Sequence, residues 1–180
     1  MRGQTTLDFA LGISIFLAVM LFVFTFVPGL LDPFALSNED DTVLVGQLAD
    51  RLSEDTLGHP EEPYILDRPC TVGFFQTPSS PPGRCRYSGN TLHDRLNVPQ
   101  STNVNVTIQQ NITVGTAGSD ILCWDDSAKE LVPASSCGGG DTTLTAGESP
   151  TAGGQNPSTI TARRVVSLAG EDVMLKVVVW

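Results

Sequence analysis

Basic residues are scarce in this chain. Only Lys129 and Lys176 are lysines among ten Lys and Arg, against twenty Asp and Glu, for a formal net charge of −10. That balance repels a phosphate backbone, so nucleic acid is not an expected partner. Histidine is scarcer still: His59 stands beside Pro60 and His93 beside Asp94, with no metal-ligand spacing between them. His93, Asp94 and one of many serines would make a nominal triad, but the chain has no Gly-x-Ser-x-Gly elbow, and adjacent residues do not converge readily on one point. A Gly-x-x-x-x-Gly-Lys phosphate loop and a Gly-x-Gly-x-x-Gly fingerprint are missing too. The acidic pairs Asp40-Asp41 and Asp125-Asp126 lack the full ligand loop of a cation site and read as solvated surface. The sequence therefore predicts no catalytic residue, no resident metal, no cofactor and no enzyme activity.

What the chain does have is a long apolar run. From Phe9 to Val27 there are 19 consecutive residues without a charge, rich in Leu, Ile, Val and Phe. As a helix they span roughly 28 Å, the thickness of a bilayer's hydrocarbon core. Pro28, Gly29 and Pro33 follow, which predicts that the continuous helix ends or kinks near Val27, with Leu30 and Leu31 at the interface. Arg2 and the terminal amine precede the run, and no Lys or Arg follows it before Arg51. The expected topology is a cytoplasmic N-terminus with everything downstream outside. A cleaved secretory signal is the competing reading, with Ala35-Leu36-Ser37 as its cleavage site, but the apolar core is longer than the roughly 7 to 15 residues such signals carry.

Ahead of the run lies Arg2-Gly3-Gln4-Thr5-Thr6-Leu7-Asp8. A small residue after a cation, then a carboxylate just before an apolar helix, resembles the class III signal peptide of archaeal type IV pilin-like proteins, including many from haloarchaea. The resemblance covers the first thirty or so residues. It implies a prepilin peptidase cutting between Gly3 and Gln4 on the cytoplasmic side, leaving the helix as both anchor and assembly element. Asp8 stands where that family usually has Glu, and Thr6 where Ser is common. In a helical bundle the Asp8 carboxylate requires a partner, and the new amine on Gln4 of an adjacent subunit would supply one. Without that processing, Asp8 is an acid solvated at the cytosolic face, favourably placed at a helix N-terminus.

Beyond the membrane, Ser37-Asn38-Glu39-Asp40 has the form of a capping box, and Leu44, Leu48 and Leu52 recur beside Val45 and Ala49. An amphipathic helix is predicted from Glu39 to Leu57, stopping near Gly58 and Pro60. Prolines between residues 59 and 100 predict loops with short strands at Tyr64 to Leu66 and Thr71 to Phe75. Asn103 to Val114 alternates Val104, Val106, Ile108, Ile112 and Val114 with polar residues, which predicts one long or bulged, half-buried strand, since a hairpin turn at Gln109-Gln110 would lack the Gly or Asn-Gly chemistry such turns prefer. A hairpin is expected around Asp125-Asp126-Ser127, flanked by Ile121 to Trp124 and Glu130 to Val132. The strongest hairpin signal joins Thr159 to Leu168 with Val173 to Trp180 through Ala169-Gly170-Glu171-Asp172.

The expected fold class is α+β: a transmembrane helix, a short amphipathic helix, then an antiparallel β-rich extracytoplasmic domain. Its divisions are residues 1–3 as leader, 4–31 as transmembrane and assembly helix, 32–58 as amphipathic helix and connector, and 59–180 as the β-rich domain. Within the last, residues 138–158 are dominated by Gly, Thr, Ser, Ala and Pro and predict an exposed, flexible loop.

Cys70 lies near Cys85 in the chain and Cys123 near Cys137, all on the expected outer side. Two local disulfides are the simplest of three pairings, and each would contribute roughly 3 kcal/mol. A four-thiolate zinc site is the sharper alternative, but it lacks a Cys-x-x-Cys pair. Asn105-Val106-Thr107 and Asn111-Ile112-Thr113 are glycosylation sequons, although an Asn- and Thr-rich strand face also makes them by accident. The excess of Asp and the dearth of Lys suit a halophilic setting, with an ordinary acidic secreted protein as the alternative. Together these features predict a membrane-anchored, pilin-like surface protein, a filament subunit or minor pilin in adhesion, whose partners are the membrane, the peptidase and other pilins. The alternative is a monomeric single-pass protein with a ligand- or glycan-binding β domain.

Overall fold

The computed structural model describes residues 4–35, 38–76, 81–110, 120–152 and 157–180, without the side chains of residues 4–8, 27–35 and 38–40. The chain divides into two units, Met1–Glu39 and Asp40–Trp180. The first contains α1, Gln4–Ala35. This helix runs past Val27, where sequence reasoning ended or kinked it, and carries both Pro28 and Pro33. A proline deletes a single bond from the helical ladder, and the bonds on either side hold the helix through it.

The second unit begins within α2 (Asn38–Arg51), which widens into one π-helical turn at Leu52–Thr56. Together they are the amphipathic element expected from Glu39 to Leu57. Val45, Leu48, Ala49, Leu52 and Leu57 join the hydrophobic core, whereas Val43 faces outward. Gly58 ends the element by necessity, because a Cβ there would sit 2.6 Å from the Glu54 carbonyl oxygen. Strands β1 (Gly58–His59) and β2 (Glu62–Leu66) follow.

The predicted strand at Thr71 to Phe75 is instead helical: α3 spans Arg68–Phe75. Asp67 caps it by accepting from the Cys70 backbone N–H at 3.0 Å, and Pro69 occupies the first turn, where a missing donor costs nothing. A second short helix, α4 (Leu92–Leu96), is held by a capping box between Thr91 and Asp94. Its Arg95 is 2% exposed. Arg95 Nη1 donates to the carbonyls of Gly73 and Phe74, its Nη2 to that of Gln76 and its Nε to that of Gly89. A buried cation thus satisfies the carbonyls at the C-terminal end of α3, where the helix dipole is negative.

The remaining strands are β3 (Val104–Gln110), β4 (Leu122–Asp125), β5 (Glu130–Pro133), β6 (Thr142–Thr143), β7 (Thr145–Ala146), β8 (Ile160–Leu168) and β9 (Glu171–Val179). They form a six-stranded sheet, β1-β2-β8-β9-β3-β7, and a three-stranded sheet, β5-β4-β6. All pairings are antiparallel except β2 with β8. The β8–β9 hairpin closes through Ala169 and Gly170, both at positive φ, the turn form that suits the twist of paired strands. The α+β architecture is therefore the one the periodicities imply.

Two expectations change. β3 is not half-buried: Asn105, Thr107 and Gln109 are buried along with Val104, Val106 and Ile108, because the strand is interior to the sheet and the 145–147 backbone packs beside Asn105. The segment 138–158 is no simple exposed loop either, although residues 153–156 lie outside the description. Its Thr142–Thr143 pairs with β4 and its Thr145–Ala146 with β3. Between them Leu144, 0% exposed, donates its N–H to the Leu122 carbonyl and accepts from the Ile108 N–H, both at 2.9 Å. One leucine among small residues thus bridges the two sheets, beside the Gln110 N–H bond to the Asp120 carbonyl at 3.1 Å. Leu144→Ala is accordingly expected to destabilise the protein by about 2–5 kcal/mol in chemical denaturation, against under about 0.5 kcal/mol for a substitution at the neighbouring exposed Thr143.

Candidate functional site

The apolar surface of α1 is the most exceptional chemical feature of the chain. Over Phe9–Phe26 its mean hydropathy is 2.6 and none of it is buried within the chain, with Leu21 and Phe24 more than 70% exposed. It is long and apolar enough to cross a membrane, which fits an anchor or a signal sequence. Its polar side chains are satisfied internally. Ser14 Oγ donates to the Ala10 carbonyl at 2.8 Å and Thr25 Oγ1 to the Leu21 carbonyl at 2.7 Å, as a hydrophobic environment requires.

Of the leader residues, Gly3 lies outside the described residues, whereas Gln4 and Asp8 fall within α1 with their side chains undescribed. Asn111 also lies outside the description. Asn105 is described, and its surroundings oppose the glycan reading: it is 8% exposed and its Nδ2, the atom a glycan would occupy, donates to the carbonyls of Ala146 and Gly147 at 3.2 Å. The asparagine is spent on holding the 146–147 backbone against β3.

All four cysteines are paired, Cys70 with Cys85 and Cys123 with Cys137, at Cα separations of 5.4 and 6.0 Å. The first staples α3 to the loop ahead of α4, and the Tyr87 hydroxyl donates to the Cys70 carbonyl in the same layer. Burial pushes the Tyr87 phenol up to about 12, opposed by the Arg95 guanidinium over its ring. Tyr87 and Arg95 carry no local signal as a pair; only the fold brings them together.

Among the described residues, three clefts open on the domain. One, about 360 Å³, is lined by Arg68, Gln76, Trp124, Asp126 and Lys129, but Arg68 lies over the Trp124 ring and Lys129 pairs with Asp126. A second, about 180 Å³, has Arg84 paired with Asp67 and Arg86 with Asp55 beside the Cys70–Cys85 bridge. In the third, about 350 Å³, Leu92, His93, Asn103, Glu148 and Trp180 come together from four stretches of chain, so no motif announces it. His93 does not meet a serine there; its Nε2 faces the Thr102 carbonyl at 2.9 Å. Among the described residues no group of three His, Cys, Asp or Glu is placed to hold a metal ion.

A model for a family of unknown function matches the chain over its whole length, residues 1–180. The chain belongs to the DUF7287 family. No curated protein and no solved structure matches this DUF7287 member.

The domain of this DUF7287 chain also carries one long-range ion pair between its helical and sheet layers. Arg164 Nε donates to Asp50 Oδ1 at 2.6 Å, which holds the Asp50 carboxyl below its ordinary pKa, with partial opposition from desolvation. A carboxyl depressed in the folded state adds stability above its unfolded pKa and loses that contribution as pH falls through the folded value. The stability lost in Asp50→Asn is therefore expected at neutral pH and to fade below about pH 4 in denaturation curves; a loss that grows on acidification would contradict this. The bridges give a second expectation. Iodoacetamide adds mass only after reduction, and replacing Cys70 and Cys85 together by Ser lowers stability by about 3 kcal/mol.

Proposed function

We propose that this protein is a membrane-anchored, type IV pilin-like surface protein, with a cytoplasmic N-terminus and its disulfide-bonded domain displayed outside. The supporting observation is α1. An apolar helix whose Phe9–Phe26 stretch has no buried residue is joined to a unit with a hydrophobic core of its own. That helix needs lipid or other helices, and the domain needs neither.

In this reading the peptidase removes Met1 to Gly3, and α1 first lies in the bilayer. During assembly it leaves lipid and buries its face against sister helices. Asp8 sets the register: a carboxylate at the bilayer centre costs on the order of 3 kcal/mol, so it stays near interfacial water until the Gln4 amine of an adjacent subunit neutralises it. The domain is carried outward as a filament subunit or minor pilin serving adhesion. Two disulfides suit that oxidising side of the membrane.

Intact-mass measurement of the protein from its native membrane tests the leader. A terminus at Gln4 is expected, with Gly3→Val retaining the N-terminal residues; a wild-type chain beginning at Met1 or Arg2 sinks the reading. Electron microscopy of sheared surface fractions then tests assembly, since Asp8→Asn is expected to be processed normally and to vanish from fibres.

A further inference from the structure

The clefts of the domain differ in what their polar groups are already doing. In two of them cations are engaged by carboxylates or by an indole within the cleft itself. The third is different. Among the described residues, neither the Asn103 amide nor the Glu148 carboxylate has a hydrogen-bond or ion-pair partner, and both are exposed beside a half-buried Trp180. His93 adds an acceptor, because a carbonyl only accepts: Nε2 must carry the proton toward Thr102, which leaves Nδ1 with a lone pair in the neutral ring.

The walls of this cleft are fixed. Trp180 N–H donates to the Asn103 carbonyl at 3.1 Å, tying the two ends of the cleft. Gly147 has φ +89 and lies so near β3 that a Cβ would sit 2.1 Å from the Val104 carbonyl oxygen. Asn105 holds the same bend from the other side through its bonds to Ala146 and Gly147. A volume of about 350 Å³ falls within the range of small-molecule sites, which pair an apolar or aromatic wall with a few placed polar groups.

We propose that this cleft, formed by Leu92, His93, Asn103, Glu148 and Trp180, binds a neutral carbohydrate. The chemistry selects that class. The C–H face of a sugar ring covers an indole, and its hydroxyls both donate and accept. They donate to Glu148 and His93 Nδ1 and accept from the Asn103 amide. An anion meets a carboxylate with no lysine or arginine lining the cleft to offset it. A cation suits Trp180 and Glu148 but gains nothing from the Asn103 amide donors, whereas a hydroxyl uses all three groups. The inference does not rest on leader processing, and its test is read independently of it.

The test uses the full chain in a non-glycoside detergent, titrated with glucose, galactose, mannose, N-acetylglucosamine, maltose and cellobiose while tryptophan fluorescence is followed. The chain has two tryptophans and Trp124 lines another cleft, so a change is assigned to Trp180 only where Trp180→Phe abolishes it. At least one sugar is expected to give a saturable change, with Asn103→Ala and Glu148→Gln each weakening binding about tenfold. Both residues are exposed, so their variants are expected to keep the wild-type circular dichroism. No saturable change with any of these sugars overturns the proposal, as does binding that neither variant weakens. So does saturation by choline chloride that is sensitive to Glu148→Gln alone, which would make the cleft a cation site.

Discussion

The two backbone hydrogen bonds of Leu144 are the constraint on which the β domain turns. Where a chain crosses from one sheet to another in the interior, its backbone N–H and C=O must still find partners, because no water is there to take them. Leu144 does this between Leu122 and Ile108 while its side chain fills the space between the sheets. Because that position is fixed, Thr145–Ala146 can pair with β3 and Gly147 can press against Val104. The bend that follows places Glu148 opposite Asn103 and Trp180. The third cleft thus inherits its geometry from a crossing several residues away.

Charge does a different job. The visible ion pairs of Arg84, Arg86 and Lys129 join partners that are both exposed or nearly so, and such pairs contribute about 0–1 kcal/mol each before salt screens them. Cohesion has to come from elsewhere. The apolar core, the two disulfides and the buried Arg95 supply it, and none of these weakens appreciably with ionic strength. Arg95 is a cation placed where its charge meets helix-end carbonyls rather than solvent. An acidic chain with few bases can therefore hold a folded unit while its surface remains strongly hydrated.

Elements with a regular period were legible in the sequence. The Leu44, Leu48 and Leu52 stripe became α2 and its π turn, and the alternation of Val173, Leu175 and Val177 became β9, because burial on one face imposes the period. Short capped elements were harder. Thr71 to Phe75 is β-rich in composition, yet Asp67 and Pro69 determine its helix through the first turn. Burial of β3 on both faces was hidden because Asn105 bonds to a segment over forty positions away. Leu144 was hidden for a related reason: composition averages over a segment, and one buried residue suffices to fix it. The polar side chains of the third cleft converge only in three dimensions.

On the proposed reading α1 and the domain answer to different solvents, and that division gives the proposed leader its weight. Among the described residues, the hydrophobic core cluster lies within residues 45–179. In the proposed reading, lipid and sister helices are the surroundings that α1 has to suit. Ser14 and Thr25 are compatible with both settings because their hydroxyls return to their own helix. An ionised carboxylate at position 8 is not so indifferent: water, lipid and a neighbour's amine give it widely different energies. On the proposed reading Asp8 is therefore the residue at which processing and assembly meet, since the amine that would satisfy it exists only after the chain has been cut before Gln4.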